Sequence, residues 1–578
     1  AAGQSMYFLV RILFLRALSF VYGVAFTVAL KQNKALIGDS GITPARVILD
    51  EAEERGIIIK QLKRQREEDE ENENTINPNG VSYHQNVTLR NFRRRIDKVM
   101  QYWWNKKDKY VQTVREKLWD PRDRRGYPLL TVLWLAKDRS KLNPWIDAIA
   151  LCGIATAASV FVLGAANLPL LLTLWICQRS LWAVGGPWYG YGWEPQLAEL
   201  GFHALFLVPF LSLNPFAGKN MIPAVSIWAL RWFLFRIMMG AGLIKIKGGR
   251  EWKDLTAMYS FYETQPCPNP FSKHFHFMPK WWHRGEVLLN HFVELVAPFL
   301  LLMPFRKLRI AGGIIQLTFQ AILICSGNLS FLNWLTAIPA IFCLDDAFLI
   351  RRRLPSFFFW NISGGGRRRF YNNVISSMAS TASHYQTPLI RRFVNVLFGF
   401  LIARLSIPVV RNLLSKRQIM NGSFDQFRLV NTYGAFGTVG QERDELIISS
   451  AMTVDGEWKE YEFPIKPGNV QKPPRWISPY HYRLDWQLWI ASLYGGIEQS
   501  PWIYTLLIKL LERDELVMKD LIAKDPWDGK KPKYIRVDKY RYKFSQHHQK
   551  PDYWKREFIG RFYPRQGVEN LESLKVRY

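Results

Sequence analysis

Ionisable side chains stand in this sequence where their neighbours are almost all apolar. The phrase Arg231-Trp-Phe-Leu-Phe-Arg236-Ile-Met-Met-Gly-Ala-Gly-Leu-Ile-Lys245 places three cations in a run long enough to cross a bilayer. Glu199, His203, His291, Glu294, Asp345 and Asp346 occupy neighbouring runs, and Arg11 and Arg16 the first one. A charge at bilayer depth costs at least about 2.5–3.5 kcal/mol, so each of these groups needs a partner. Such a set could relay protons or line a substrate pocket. No nucleophile and base recur at a fixed spacing, so we read it as polar glue, with Arg and Asp/Glu of different spans paired in the interior.

Two other groupings invite chemistry. His274 and His276 at i, i+2 would share one face of a strand. With His283, His291, Glu263 or Glu294 as further donors, they could hold a metal. They also sit among Phe271, Phe275, Phe277, Trp281 and Trp282, the composition of an interfacial aromatic belt, which is the reading we adopt. Asn431–Gly437 and its flank carry Gly434, Gly437 and Gly440, but no Lys-Ser/Thr follows, so turns between strands explain them better than a phosphate cradle. No catalytic residue, cofactor or metal is therefore assigned, and the chain reads as a non-enzyme.

The elements that must position these groups are mainly α-helical. Candidate spans are 7–30, 145–164, 166–185, 196–213, 221–245, 286–305, 310–328, 331–350 and 393–413, about eight to nine crossings in all. The first is about 24 residues long and lacks a small-residue cleavage site before Lys31, so it reads as a span rather than a signal peptide. The organisation expected is a first span (1–30), a charged soluble loop (31–144), a polytopic helical membrane bundle (145–413) and a soluble α+β domain (414–578). Short joints at Gly164 and Gly327-Asn328 imply antiparallel neighbours. The loop 351–392, with eight Arg and no Asp or Glu, argues that the carboxyl-terminal domain faces the compartment opposite to it. Asn86-Val-Thr88 and Asn421-Gly-Ser423, acceptor-like for glycosylation, fall on the domain's side.

Net charge is +29, from 77 Lys+Arg against 48 Asp+Glu in 578 residues. No nucleic-acid-reading motif appears, so membrane lipids or an acidic protein neighbour are the expected counter-charges. Between Leu89 and Leu118 apolar residues recur at helical spacing, surrounded by Arg93, Arg94, Arg95, Lys106 and Lys107, with Trp103 among them. That is a basic amphipathic helix, suited to an anionic membrane surface or a partner, and equally to capping its own domain. Five cysteines without a Cys-x-x-Cys support neither a disulfide framework nor a thioredoxin-type site. In the tail, Phe427–Tyr433, Glu445–Ala451, Glu457–Ile465 and Lys533–Phe544 read as strands, with Asp455-Gly456 as a turn. Leu484–Leu493, Tyr504–Arg513 and Leu516–Ile522 read as helices.

Several strings resemble the lipase maturation factor family. They are Gly192-Trp193-Glu194-x-Gln196-Leu197-x-Glu199-x-Gly201-Phe202, Tyr262-Glu263-Thr264-Gln265-Pro266, Ser326-Gly-Asn328-Leu-Ser330-Phe331-Leu-Asn333-Trp334, Asn431-Thr432-Tyr433-Gly434-Ala435-Phe436-Gly437 and Ser478-Pro479-Tyr480-His481-Tyr482-Arg483-Leu484-Asp485-Trp486. The resemblance implies a multi-pass endoplasmic-reticulum membrane protein that helps dimeric lipases, such as lipoprotein lipase, reach an active fold, its tail domain meeting the client. Tyr433, Phe436, Tyr480, Tyr482, Arg483 and Trp486 are the candidate partner-binding residues. The charged segment about 50–120 departs from the family pattern. The alternative is a structural accessory subunit of a large membrane complex, for example in a mitochondrial inner membrane. A membrane-embedded enzyme, suggested by the bundle's distant similarity to vitamin-K-dependent carboxylases, lacks a recognisable catalytic cluster.

Overall fold

Long apolar segments dictate the architecture. A computed structural model of the protein describes residues 7–54, 129–214, 221–351, 389–546, 551–567 and 570. The amphipathic helix expected over 89–118, with Arg93, Arg94, Arg95, Trp103, Lys106 and Lys107, lies outside these residues, as do Asn86 and nearly all of the 351–392 loop.

Among the described residues five helices are long and apolar enough to cross a bilayer: α1 (Phe8–Ile37), α2 (Asn143–Leu163), α5 (Ala224–Lys247), α8 (Arg306–Ser326) and α10 (Leu389–Leu414). Shorter helices fill in between: α3 (Leu168–Val184), α4 (Trp193–Leu205), α6 (Met258–Thr264), α7 (Lys280–His291) and α9 (Leu332–Ala340). At 30 residues α1 extends about 45 Å, more than a hydrocarbon core needs. Its most apolar window is 67% buried and that of α5 is 72% buried, against 33% for α2 and 22% for α10. Helices α1 and α5 are thus the inner rods, and the others turn much of their surface outward. Local chemistry sets the ends. The Asn167 side chain accepts from the Leu170 N–H at the start of α3, and Gly164 closes α2 at φ 61°, where glycine avoids a Cβ clash.

Four expected spans are shorter or broken. The run 166–185 contributes the 17-residue α3. The run 196–213 contributes only the 13-residue α4, whose Glu194, Gln196, Glu199 and His203 are all buried. The run 286–305 divides into the end of α7, a π turn at Phe292–Val296 and a short helix Pro298–Leu301. Pro298 has no N–H for the Glu294 carbonyl, and the wider turn accommodates it. The run 331–350 becomes α9, a 3-10 turn at Ile341–Cys343 and a helix Asp346–Arg351.

Among the described residues the tail folds as a four-stranded antiparallel sheet with helices against it. The strands are β1 (Arg443–Ala451), β2 (Lys459–Glu460), β3 (Tyr534–Phe544) and β4 (Trp554–Gly567), in spatial order β2-β1-β3-β4. Register is set by pairs such as Leu446 with Lys539 and Phe544 with Trp554. Asp455-Gly456 does lie in the turn between β1 and β2, where the Gly456 N–H donates to the Thr453 carbonyl at 3.3 Å. The helices α11 (Arg483–Ser492), α12 (Trp502–Glu512) and α13 (Glu515–Leu521) follow the expected positions within two residues. Two expectations fail. Phe427–Tyr433 is irregular apart from one bridge, Ser423 to Asn431, and Glu457–Ile465 yields the two-residue β2 and one bridge, Glu462 to Lys524. The long β4 adds to the expected strands.

Bundle and tail share one continuous apolar cluster, which runs from Phe14 and Leu18 of α1 to Leu506 of α12 and Ile535 of β3. Within the bundle, α1 meets α2 where Gly153 lies under the Phe26 ring, and a Cβ there would fall 2.5 Å from a ring carbon. Overpacking of this kind costs about 1–3 kcal/mol. Gly153→Val should therefore lower the thermal midpoint of the detergent-solubilised protein. Gly285→Ala, where a Cβ meets nothing within 4 Å, should leave the midpoint nearly unchanged. Equal midpoints for the two variants would count against close packing of α1 on α2.

Candidate functional site

The buried charges do not converge on one cluster; each solves a separate burial problem, and the most demanding ones are solved by the tail. Helix α4 presents Glu194 and Glu199 inward. Glu199 is held by Arg236 of α5, whose Nη2 contacts its Oε1. Its other oxygen, Oε2, accepts from the Asn431 N–H at 2.9 Å, the Asn431 amide at 3.0 Å and the Tyr433 hydroxyl at 2.6 Å. Arg236 in turn donates to the Asn431 carbonyl at 2.9 Å. His203 stands one turn from Glu199, with Nε2 at 3.7 Å from its carboxylate and its ring against Phe233 and Phe398.

Glu194 makes the second joint. Its Oε1 lies 2.9 Å from Arg483 Nη2, while Arg483 Nη1 donates to the Trp188 carbonyl at 2.6 Å. The guanidinium lies 3.6 Å from the centre of the Tyr189 ring, a cation–π contact in a dry setting. From α1, Gln32 accepts from the Arg483 N–H at 2.9 Å and donates to the His481 carbonyl at 2.7 Å and the Tyr480 hydroxyl at 3.1 Å. Trp486 meets Tyr191 and Trp193 edge-on. A third joint is Asn328, just after α8. Its amide donates to the Pro268 and Arg475 carbonyls, and its oxygen accepts from the Ile477 and Ser478 N–H groups.

A fourth joint escaped sequence reasoning. Arg443 of β1 is fully buried and donates to the Glu263, Gln265 and Pro266 carbonyls at the end of α6, and to Glu445 at 2.5 Å. Lys466 completes the site 3.3 Å from the second Glu445 oxygen. The available signal was period two: Arg443 and Glu445 share a strand face with Ile447.

The remaining charges stay within the bundle. Lys245 binds Glu294 at 2.7 Å and Asn290 at 3.0 Å. His291 Nε2 lies 3.1 Å from the Trp252 carbonyl. Asp345 takes Arg306 in a two-pronged pair at 2.6 and 2.7 Å, with Arg309 at 3.3 Å. Asp346 accepts from the Phe8 and Val10 N–H groups at the start of α1, where a carboxylate complements the helix dipole. Not every arginine follows the expected acid pairing. Arg231 donates to the Phe342 carbonyl and the Tyr7 hydroxyl. Among their contacts, Arg11 also donates to the Leu207 carbonyl and Arg16 to the Val162 carbonyl.

The candidate partner-binding residues need correction on the same geometry. Tyr433, Arg483 and Trp486 are buried, and Phe436, Tyr480 and Tyr482 are half-buried. Arg483, Tyr433 and Tyr480 spend their polar atoms on the bundle, and Trp486 its ring, so these residues hold the joint rather than offer an open face. The glycines of Asn431–Gly437 also differ from expectation. A Cβ at Gly437 would lie 3.0 Å from the Ile244 side chain of α5, and the approach is closer still at the glycines facing the segment: a Cβ at Gly240 would lie 2.3 Å from the Tyr433 carbonyl, and one at Gly248 would lie 2.1 Å from that of Gly437.

His274 and His276 lie in a short helix, Ser272–His276, so they do not share a strand face. Burial and the neighbouring His283 push His276 down to about 4. Among the described residues no group of three or more His, Cys, Asp or Glu is placed to hold a metal.

This is the arrangement of a membrane protein: a helical bundle with apolar spans, docked by buried ion pairs and glycine contacts onto a small α+β domain. Residues 9–68 and 107–351 match the lipase maturation factor transmembrane domain, and residues 429–564 match the lipase maturation factor C-terminal domain. The chain belongs to the lipase maturation factor family. It is 40% identical to lipase maturation factor 1 of Mus musculus over 99% of this chain and 89% of that one, and 39% identical to lipase maturation factor 1 of Homo sapiens over 98% and 89%. Lipase maturation factor 2 of Mus musculus is 27% identical over 75% of each. No solved structure matches the chain.

Breaking a buried ion pair from one side costs about 3–5 kcal/mol, because the remaining charge is left dry. Arg236→Leu and Arg483→Met should each reduce cellular abundance severalfold and expose the tail to limited proteolysis. Normal abundance with lost function for Arg236→Leu would contradict a structural pairing. In the tail, Asp485 accepts from the Ile465 and Lys466 N–H groups at 2.8 Å each, and burial pushes its carboxyl up from 3.8 to about 6. A raised carboxyl favours the folded state below its unfolded value, and that contribution is lost as pH rises through this window. The thermal midpoint of the wild type should fall between pH 4 and 6 relative to Asp485→Asn, whose oxygen can still accept both bonds without a charge.

Proposed function

We propose that this protein is a non-enzymatic maturation factor for lipases, seated in the endoplasmic-reticulum membrane and meeting its client through the carboxyl-terminal domain. Family membership across both domains, in order and over nearly the whole chain, is the observation that carries this reading. The comparisons lend no support to an accessory subunit of an organellar complex. The surface still open on the tail supports a specific contact. Among the described residues β4 pairs with one strand only, β3, and exposes Phe558 and Ile559 by 54% and 44%. An edge strand with free main-chain groups and exposed apolar side chains is a ready template for another polypeptide.

The test is lipase output. In cells deprived of their own maturation factors, this chain should restore secreted, active lipoprotein lipase. The double variant Phe558→Asp/Ile559→Asp should accumulate normally and lose most of that rescue. Failure of the wild type to restore activity, at normal abundance in the membrane, would overturn the maturation role. Full rescue by the double variant would overturn β4 as the contact.

A further inference from the structure

A cavity of about 370 Å³ lies where α4, α5, α7 and α8 meet the tail segment 433–436 and α11. Ligand pockets span about 300–1,000 Å³. Ile237, Met238, Phe319 and Leu323 supply apolar wall, and Lys245, Asn290 and Glu294 stand at one side. The charges there are already matched. Lys245 is 2.7 Å from Glu294, and Glu286 accepts from Tyr262 and Trp282 and lies 3.0 Å from His283. An anionic headgroup would find no spare cation among them, and a cationic one would meet the competing Lys245.

Buried polar atoms of the lining lack a hydrogen-bond partner among the described residues. They include the side-chain oxygen of Gln320, 2% exposed, and the indole N–H of Trp486, 6% exposed. Unsatisfied buried groups cost about 1–3 kcal/mol each, so an occupant that satisfied them would be favoured. The oxygen calls for a donor such as a hydroxyl, and the indole for an acceptor such as a carbonyl. The route of entry also has a signature. Leu289 of α7 and Ile322 of α8 line the cavity yet remain 49% and 48% exposed, and the same helices also expose Leu288 and, two turns away, Ile314. An apolar rim of this kind faces hydrocarbon rather than water.

We infer that this cavity binds one uncharged bilayer lipid bearing a hydroxyl and a carbonyl, of the diacylglycerol or ceramide kind, admitted sideways between α7 and α8. Its chain lies against Met238, Phe319 and Leu323, and its polar end meets Gln320 and Trp486. Because Tyr433, Phe436 and Trp486 belong to the tail, the lipid touches both halves of the molecule and strengthens their union. The inference rests on the bundle lying in a membrane and is independent of any lipase client.

The full-length protein in nanodiscs is exposed to photoactivatable, alkyne-bearing diacylglycerol, ceramide and phosphatidylserine, and labelled peptides are mapped by mass spectrometry. The uncharged probes should label peptides containing residues 237–245 or 319–326 about tenfold more than phosphatidylserine does, a difference worth about 1.4 kcal/mol. Labelling by diacylglycerol alone or by ceramide alone would support the site and identify its ligand. Met238→Trp, which fills the space, should abolish the labelling. Ala241→Leu, a smaller obstruction of the same wall, serves if the first variant does not accumulate. Equal labelling by phosphatidylserine, labelling that persists in a monodisperse filled variant, or no labelling of these peptides would overturn the inference.

Discussion

A carboxylate buried at Glu199 cannot be left without donors, and neither the bundle nor the tail can supply all of them. Arg236 of α5 provides the opposite charge, while Asn431 and Tyr433 of the tail provide the remaining hydrogen bonds. An acid this deep would otherwise keep an uncompensated charge in a dry medium, at a cost of several kcal/mol. The same logic recurs where Arg483 of the tail covers Glu194, and where Arg443 gathers three carbonyls at the end of α6. Folding of the membrane part and docking of the domain are therefore one event in energetic terms. The apolar cluster that runs from α1 to β3 has the same consequence.

This mutual dependence changes what the aromatic motif strings are for. Tyr433, Arg483 and Trp486 are the residues that a sequence reader would set aside for a partner, since they are large, amphipathic and clustered. Here the polar atoms of Tyr433 and Arg483 and the ring of Trp486 are directed at the protein's own bundle. Among the described residues the outer strand β4 pairs with β3 alone and exposes Phe558 and Ile559, which is why the proposed client contact is placed there.

Much of the architecture was legible in composition and period. Long runs of apolar residues such as 7–30 and 221–245 could only be helices, because a bilayer leaves no water for unpaired backbone groups. The α11–α12–α13 succession and strands β1 and β3 followed from periodicity. Misreadings came where a long-range partner decides. Strand β4 contains Lys555, Arg556, Glu557, Arg561 and Arg565, and its alternation is disguised by charges that pair across the sheet, such as Arg561 with Asp538 and Arg556 with Glu460. The segment 427–433 has the composition of a strand but is held by α4 and α5 instead, through bonds to side chains more than 190 positions away.

What the sequence determined alone was the need: ionisable groups in apolar runs must find partners, whatever the fold, because hydrocarbon does not solvate them. Which partner each one finds was decided only by the tertiary structure. Glu199 and Arg236 are 37 positions apart and share a joint with Asn431, while Arg231, five residues earlier on the same helix, ends on a backbone carbonyl. The physical reason is directional. Neighbours on a helix fan out at about 100° per residue, so adjacent charges on one rod face different elements, and only the packing of those elements says what each will meet.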